Sequence, residues 1–299
     1  MTFSFSERSK RLDKICKKTI LKKKTDLISE GIIKKNNLLF IQEASKNLLY
    51  ASILGSKKKL NVKKKFKNII KKIKKKKPNN ITHNGLVVPR KENSLEYALF
   101  LKSIFCFLSS TGLDKVIEYF VSPPQLRIKL GNKSKNFNAS ENIHSDAWTN
   151  YNTDKSYTLY FPIFGDAKRN LVTFFKPKKN FDPKWLSPKK FVDGSFISKH
   201  YENAKIDYKF GKFIVSDCAT LHQSILKKNA EPRVSIDLAF IPKNIFKKPQ
   251  NHSHVKFKEI ENTGFNQVIL FQDSFNDSLK KILSKKNKQS LHNREILNY

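Results

Sequence analysis

Three side chains of this sequence are of the types that bind a catalytic metal ion: His144, Asp146 and His222. On a β-strand, residues two apart project from the same face, so His144 and Asp146 would point together and Ser145 would point the opposite way. Two imidazoles and one carboxylate form the facial triad that suits iron(II) and leaves coordination positions open. Each signal is weak alone, because His-x-Asp pairs arise by chance and a lone histidine is usually a core residue. Taken together, they predict a metal centre.

A second chemical signal lies in the segment RVSIDLAF, a short distance after His222. Alternation along a strand puts Arg233, Ser235 and Asp237 on one face and apolar side chains on the other. The apolar face needs a hydrophobic backing, so the polar face meets either solvent, as in an ordinary half-exposed strand, or a polar cavity. Inside a cavity, a guanidinium binds a carboxylate through two parallel hydrogen bonds, which lysine cannot form. Because nearly all basic residues of this chain are lysines, an arginine here favours the cavity interpretation.

Two further features are weaker candidates. Trp148 would share the face of Asp146 if the strand continued. Packing in the core is the more common role of such a tryptophan, and contact with a substrate is the alternative. His252 and His254 lie in a polar region without a nearby carboxylate, so we interpret them as part of a surface loop and not as a second metal site.

The order and spacing of three motifs carry a family resemblance: HSDAW at residues 144–148, TLHQS at 220–224 and RVS at 233–235. They resemble the 2-oxoglutarate/Fe(II)-dependent dioxygenases of the phytanoyl-CoA hydroxylase-like superfamily. The run from HSDAW to FPIF is more similar to the branch found in antibiotic and cell-surface sugar pathways. The resemblance covers roughly residues 122 to 243 and implies a double-stranded β-helix, which is a cupin-like jelly roll.

The resemblance implies a role for each matching residue. His144, Asp146 and His222 would bind Fe(II) as the catalytic centre. Arg233 would pair with the distal carboxylate of the cosubstrate 2-oxoglutarate, and Ser235 would hydrogen-bond to it.

Outside these motifs, two positions refine the comparison with that family. Arg127, on the strand before the triad, matches a commonly basic position and is assigned to the cosubstrate or the substrate. The sequence FPIF at residues 161–164 departs from the family, which often has Trp-aliphatic-Pro-Leu there. The resemblance therefore does not determine the shape of the pocket next to these residues.

The activity that the resemblance implies is hydroxylation of an unactivated C–H bond of a small molecule, in sugar or secondary metabolism. In the similar halogenases a small residue replaces the carboxylate, so the presence of Asp146 argues for hydroxylation or desaturation. Two alternatives stay open. A cupin-like metalloenzyme would use the same barrel without 2-oxoglutarate and would not need Arg233 or Ser235. A basic protein with an inert barrel would bind nucleic acid or an anionic surface through its lysines.

The elements that must position these residues are mainly short strands. Beyond Pro124, segments rich in β-branched and aromatic residues alternate with Asn, Asp, Gly and Pro, which predicts an antiparallel barrel or jelly roll. Helical patterns precede them over residues 94–120, with Ser94 as N-cap and a break at Gly112 that separates two helices. The predicted fold class is therefore mainly β with flanking helices. The predicted domains are a Lys-rich helical N-terminal segment (1–85), the double-stranded β-helix (86–243) and a polar C-terminal extension with a helix (244–299).

The net charge of +35 comes almost entirely from lysine. Lys, Asn, Ile and Phe are enriched together, as AT-rich codons would produce, and proteins that read nucleic acid usually enrich arginine. We therefore favour base bias over a dedicated polyanion site. The charge would also suit an anionic small-molecule substrate, and contact of the N-terminal segment with nucleic acid or a membrane surface is the less favoured alternative.

Cysteines and apolar runs bear on the compartment. Three widely spaced cysteines form no C-x-x-C pair, which indicates neither disulfides nor a zinc-thiolate site. The N-terminus lacks the apolar region of a secretory signal, and the most apolar stretch, residues 97–108, is too short for a transmembrane segment. We expect a cytoplasmic protein.

Overall fold

The computed structural model describes nine stretches of the chain. They are residues 3–54, 85–87, 93–121, 124–130, 143–148, 155–179, 181–186, 193–243 and 255–258. The helices in these stretches are α1 (Phe5–Lys17), α2 (Lys35–Leu54), α3 (Ser94–Thr111) and α4 (Asp193–Ser198). The strands are β1 (Lys22–Thr25), β2 (Ile28–Ile32), β3 (Ile117–Phe120), β4 (Gln125–Lys129), β5 (His144–Ser145), β6 (Tyr157–Gly165), β7 (Asn170–Pro177), β8 (Tyr201–Asn203), β9 (Lys212–Asp217), β10 (Leu221–Leu226), β11 (Arg233–Pro242) and β12 (Val255–Lys256).

The described strands form one eight-stranded and one four-stranded sheet, both antiparallel. The large sheet has the order β1-β2-β9-β6-β11-β3-β12, with β4 pairing along the first half of β11, and the small sheet has the order β5-β10-β7-β8. From β4 onward the chain moves from one sheet to the other after almost every strand. This interleaving of two antiparallel sheets is a jelly roll, and it confirms the predicted fold class.

The N-terminal segment contributes strands as well as helices, which the helical prediction for residues 1–85 missed. Helices α1 and α2 lie in this segment, β1 and β2 form a hairpin between them, and all five residues of β2 pair with β9. At Gly31 the hairpin lies so close to the sheet that an added Cβ would be 2.5 Å from the Phe213 ring. The edge of β9 offers backbone hydrogen bonds to this segment, and such tertiary pairing overrides local helical preference.

Helix α3 lies where the sequence predicts it, with Asn93 rather than Ser94 as the N-cap. It ends at Gly112, which takes the left-handed conformation of a helix C-cap. The prediction of a second helix after this break is wrong. Residues Leu113–Lys115 form a short 3-10 turn, and the chain then enters β3, which pairs with the end of β11 and with β12.

The large sheet packs its two faces against different partners. One face packs against the helices and carries the alternate apolar side chains of β11. These are Val234, Ile236, Leu238 and Phe240, all at 1% exposure or less. The opposite face contacts the small sheet through a set that we call the interior cluster. Its larger members are Ile28, Tyr160, Val172, Phe174, Tyr208 and Ile214. The polar residues of β11 therefore point toward the space between the sheets, as the period of two predicts.

Part of the prediction lies outside the described residues. Two predicted features fall there: the helix of the C-terminal extension, and the surface loop that contains His252 and His254. Of that extension, the structure describes residues 255–258, which are β12, Phe257 and Lys258. Phe257 is buried in the main core. The boundaries of the three domains stay a prediction. None of the described helices combines the length and the apolar character needed to cross a membrane.

Candidate metal centre

The three predicted metal ligands converge at one end of the small sheet. β5 and β10 are antiparallel neighbours whose register places His144 directly opposite His222, with ring centroids 4.3 Å apart. The Asp146 Oδ1 atom lies 3.7 Å from His222 Nε2. One potential ligand atom from each residue lies within 4.8 Å of those of the other two. His144 is buried, and the other two are half-buried, so the group is accessible from one side. This geometry can hold one metal ion.

The predicted continuous strand through this motif is wrong in its second half. β5 ends at Ser145, and a 3-10 turn, Asp146–Trp148, follows. The turn brings the Asp146 carboxylate toward His222 and directs the Trp148 side chain away from the three predicted ligands. The Trp148 side chain packs against the apolar cluster that includes Leu221 and Tyr201, and it donates from Nε1 to the Trp185 carbonyl at 2.7 Å. Leu221 and His222 are adjacent on one strand and so face opposite ways, which favours the packing role of Trp148.

Hydrogen bonds outside the triad orient two of its members. The Thr158 hydroxyl donates to Asp146 Oδ2 at 2.5 Å, which leaves Oδ1 toward the histidines. His222 Nδ1 lies 3.3 Å from the Thr220 carbonyl oxygen. With its proton on Nδ1, this imidazole presents the Nε2 lone pair to a metal ion, the arrangement usual for metal-binding histidines.

Arg233 occupies a buried pocket between the sheets. Its side chain is 1% exposed, its Nη1 donates to the Asn170 carbonyl at 3.0 Å, and its Cζ lies 5.3 Å from the centre of the Tyr160 ring. In the described part of the chain, no carboxylate lies within 4.0 Å of this guanidinium, and its Nε has no hydrogen-bond partner. A buried charge without a counter-charge is costly, so the pocket suits an anion.

Two other buried polar atoms in this pocket lack partners among the described residues: the Tyr160 hydroxyl and Asn170 Oδ1. Burial raises the pKa of Tyr160 to about 12, so its hydroxyl stays protonated and available as a donor. The Asn170 amide is held in place because its Nδ2 donates to the carbonyls of Lys129 and Glu231, each at 3.1 Å. Arg233 and the protonated Tyr160 hydroxyl are thus two buried donors that an anion could satisfy.

Ser235 and Arg127 lie on the same wall as Arg233. They are opposite each other in the register of β4 and β11, and Ser235 is fully buried. The Arg127 Nε donates to Asp237 Oδ2 at 2.5 Å, and the Ser235 hydroxyl donates to Asp237 Oδ1 at 3.4 Å. Asp237 therefore already neutralises Arg127, whereas Arg233 has no such partner in the described chain. The roles of Arg127 and Ser235 toward a cosubstrate stay predictions.

Sequence reasoning missed Thr158, Tyr160 and Asn170 as parts of this site. The first two could have been found, because the strand SYTLYFPIF alternates and its apolar members Leu159 and Phe161 define the opposite face. Asn170 had no such signal. It begins β7 on the other sheet, and only the folded structure brings it next to Arg233.

Comparison with known proteins yields remote likenesses. The sequence matches no protein-family model, and no curated protein matches it significantly. Among solved structures, the non-heme alpha ketoglutarate dependent epimerase SnoN from nogalamycin biosynthesis is 12% identical, with a TM-score of 0.42 over 80% of this chain and 88% of that chain. EctD from S. alaskensis with bound Fe is 14% identical, with a TM-score of 0.43 over 77% and 75%. AviO1 from Streptomyces viridochromogenes is 10% identical, with a TM-score of 0.38 over 83% and 100%. Likenesses of this size assign no activity to the chain.

Proposed function

We propose that this chain is an Fe(II)- and 2-oxoglutarate-dependent oxygenase that hydroxylates a C–H bond of a small molecule. The observation that carries the proposal is the pairing of an open His-Asp-His triad with a buried guanidinium that lacks a counter-charge in the described chain. A nitrogen- and oxygen-ligand triad of this kind suits iron(II). A guanidinium in a dry pocket suits a carboxylate.

The interior cluster connects the two halves of the site. The centroid of the Phe174 ring lies 5.9 Å from that of the His222 ring and 6.2 Å from that of the Tyr160 ring. The Tyr160 ring in turn contacts the Arg233 guanidinium. This series of contacts links the triad to Arg233 across the interior, which supports the proposal of a single site. A dicarboxylate is the class of molecule that satisfies both ends, with one end at the metal and the other at Arg233.

When bound, iron with 2-oxoglutarate would supply the chemistry in which O2 converts 2-oxoglutarate to succinate and CO2 while a C–H bond gains a hydroxyl. The protein's own contribution is placement. Thr158 and the Thr220 carbonyl orient Asp146 and His222, and Phe174 and Tyr160 exclude water between the two ends. The presence of a carboxylate at position 146 supports hydroxylation over halogenation, since it fills the position that a halide would need.

The test is anaerobic titration of the purified protein with Fe(II) and then 2-oxoglutarate, followed by measurement of succinate release in air. We expect a weak visible charge-transfer band on addition of 2-oxoglutarate, and succinate that depends on iron. Asp146→Ala should lose both signals because it removes a ligand. Asp182→Ala, which removes a surface carboxylate paired with Lys184, serves as the control and should keep both.

Full succinate release by Asp146→Ala would reject the ligand assignment. Iron-dependent turnover that needs no 2-oxoglutarate would support the cupin-like alternative. The substrate stays a prediction, and a screen of anionic small molecules for stimulated succinate release is the direct way to find it.

A further inference from the structure

A tight turn at residues 217–220 joins β9 to β10 and leads directly into the ligand His222. Asp217 shapes this turn: its Oδ1 accepts from Ala219 N at 2.9 Å, and its carbonyl accepts from Thr220 N at 2.9 Å. An aspartate that bonds to the backbone two residues ahead fixes the turn conformation. The outer side of the turn is held as well, since Asp217 N donates to the Leu27 carbonyl at 2.9 Å.

Carbonyls of this turn contact the residues around all three ligands. The Cys218 carbonyl accepts from the Ser145 hydroxyl at 2.6 Å and from Ala147 N at 3.1 Å. Ser145 and Ala147 stand on either side of Asp146, and Ser145 directly follows His144. The carbonyl of Thr220, the last residue of the turn, lies 3.3 Å from His222 Nδ1. The position of the turn therefore sets the position of the triad.

Arg8 of α1 is the ionic partner of this turn. Its Nη1 donates to Asp217 Oδ1 at 2.7 Å, and the two side chains are 0% and 1% exposed. The Arg8 guanidinium also lies against the Phe181 ring, 5.8 Å from its centre, on the outer side of the small sheet. Asp217 Oδ1 thus accepts from both the helix and the turn, which couples the two.

We propose that Arg8 is a positioning residue of the metal centre, which acts through Asp217 and the turn at residues 217–220. The N-terminal helix α1 is then part of the catalytic unit, although it lies outside the stretch that carries the family motifs. This inference rests on the metal-binding part of the proposed function and does not depend on 2-oxoglutarate.

The test measures Fe(II) affinity by anaerobic equilibrium dialysis of the full chain. Arg8→Met keeps the length of the side chain but removes the charge. We expect the dissociation constant for Fe(II) to rise at least about 10-fold, the lower end of the effect of groups that hydrogen-bond directly to metal ligands. Arg8→Lys keeps the charge and one hydrogen bond to Asp217, so it should restore affinity to within about fivefold of the wild type.

Arg11→Met is the matched control, because Arg11 lies on the same helix and donates to the Lys155 carbonyl at 3.0 Å without contacting the turn. It should leave Fe(II) affinity within about twofold of the wild type. Wild-type affinity in Arg8→Met would overturn the inference. So would an equal loss in Arg11→Met, since that would trace the effect to docking of the helix.

If Arg8→Met does not fold, the double variant Arg8→Met/Asp217→Asn replaces it, because this pair of changes leaves no unpaired buried charge. The same loss of Fe(II) affinity is expected there, and wild-type affinity in that variant would also overturn the inference. A wild-type protein that binds no Fe(II) would remove the proposed function and this inference together. Wild-type binding with no effect of Arg8 would remove the inference alone.

Discussion

Replacing Arg233 by methionine should leave the stability of the ligand-free protein unchanged or raise it, and it should weaken the binding of 2-oxoglutarate. Methionine fills much of the same space without a charge. In the ligand-free protein, Arg233 has one hydrogen bond, to the Asn170 carbonyl at 3.0 Å, and a contact with the Tyr160 ring. In the bound protein we expect it to add two parallel hydrogen bonds to a carboxylate.

The magnitudes follow from these contacts. Loss of the Asn170 bond costs about 1.5 kcal/mol, and loss of the ring contact costs about 1 kcal/mol. Removal of an uncompensated buried charge stabilises the folded protein by several kcal/mol. The free energy of unfolding of the ligand-free variant should therefore stay within about 1 kcal/mol of the wild-type value or rise above it. Two hydrogen bonds to a charged group contribute at least about 3 kcal/mol, so 2-oxoglutarate should bind about 100-fold more weakly.

Urea unfolding of the ligand-free variant gives the first quantity, and titration of the Fe(II)-loaded variant with 2-oxoglutarate gives the second. Arg169→Met is the control, since that arginine is 48% exposed and paired with Asp166 at the surface, and it should change neither quantity. Unchanged affinity for 2-oxoglutarate would refute the role of Arg233. A loss of stability greater than about 3 kcal/mol would show that the protein itself supplies the counter-charge.

Two further changes test the supports of the site. Thr158→Val keeps the shape of the side chain but removes the hydrogen bond to Asp146, so Fe(II) affinity measured by dialysis should fall about tenfold; unchanged affinity would mean that the carboxylate needs no such orientation. Gly165→Ala should lower the free energy of unfolding in urea by about 2 kcal/mol or more, because Gly165 has a φ of +78° and an added Cβ would lie 2.0 Å from the Pro232 carbonyl oxygen. Gly211→Ala, with a φ of +88° but no atom within 3.7 Å of the added Cβ, should cost only about 1 kcal/mol, and equal losses would contradict the role of the close contact.

Patterns of period two predicted the parts of the site that lie on strands. The polar and apolar faces of β11 separate as expected, because a sheet between two layers must send alternate side chains to different environments. The convergence of His144, Asp146 and His222 was also predicted, from motif order and spacing. Their roles as ligands await the metal titration.

The missed features depend on contacts between distant parts of the chain. The β1–β2 hairpin forms because β9 offers an edge to it, and nothing within residues 22–32 identifies that edge. The turn at Asp146 ends β5 early, a boundary that alternation alone cannot locate. The pairing of Arg8 with Asp217 joins residues 209 positions apart, and the sequence marks neither of them as part of a site.

The division of the site between two sheets has a consequence for ligand length. His144 and His222 stand on the small sheet and Arg233 on the large one, so a molecule that engages both lies between the layers. The backbones of packed sheets are about 10 Å apart, and the ligand bridges only the part of that distance that these side chains leave open. Side chains such as Tyr160 and Phe174 set that distance, since they lie between the two layers. Changing their volume should shift which chain length of diacid fits, with longer homologues favoured as the layers move apart.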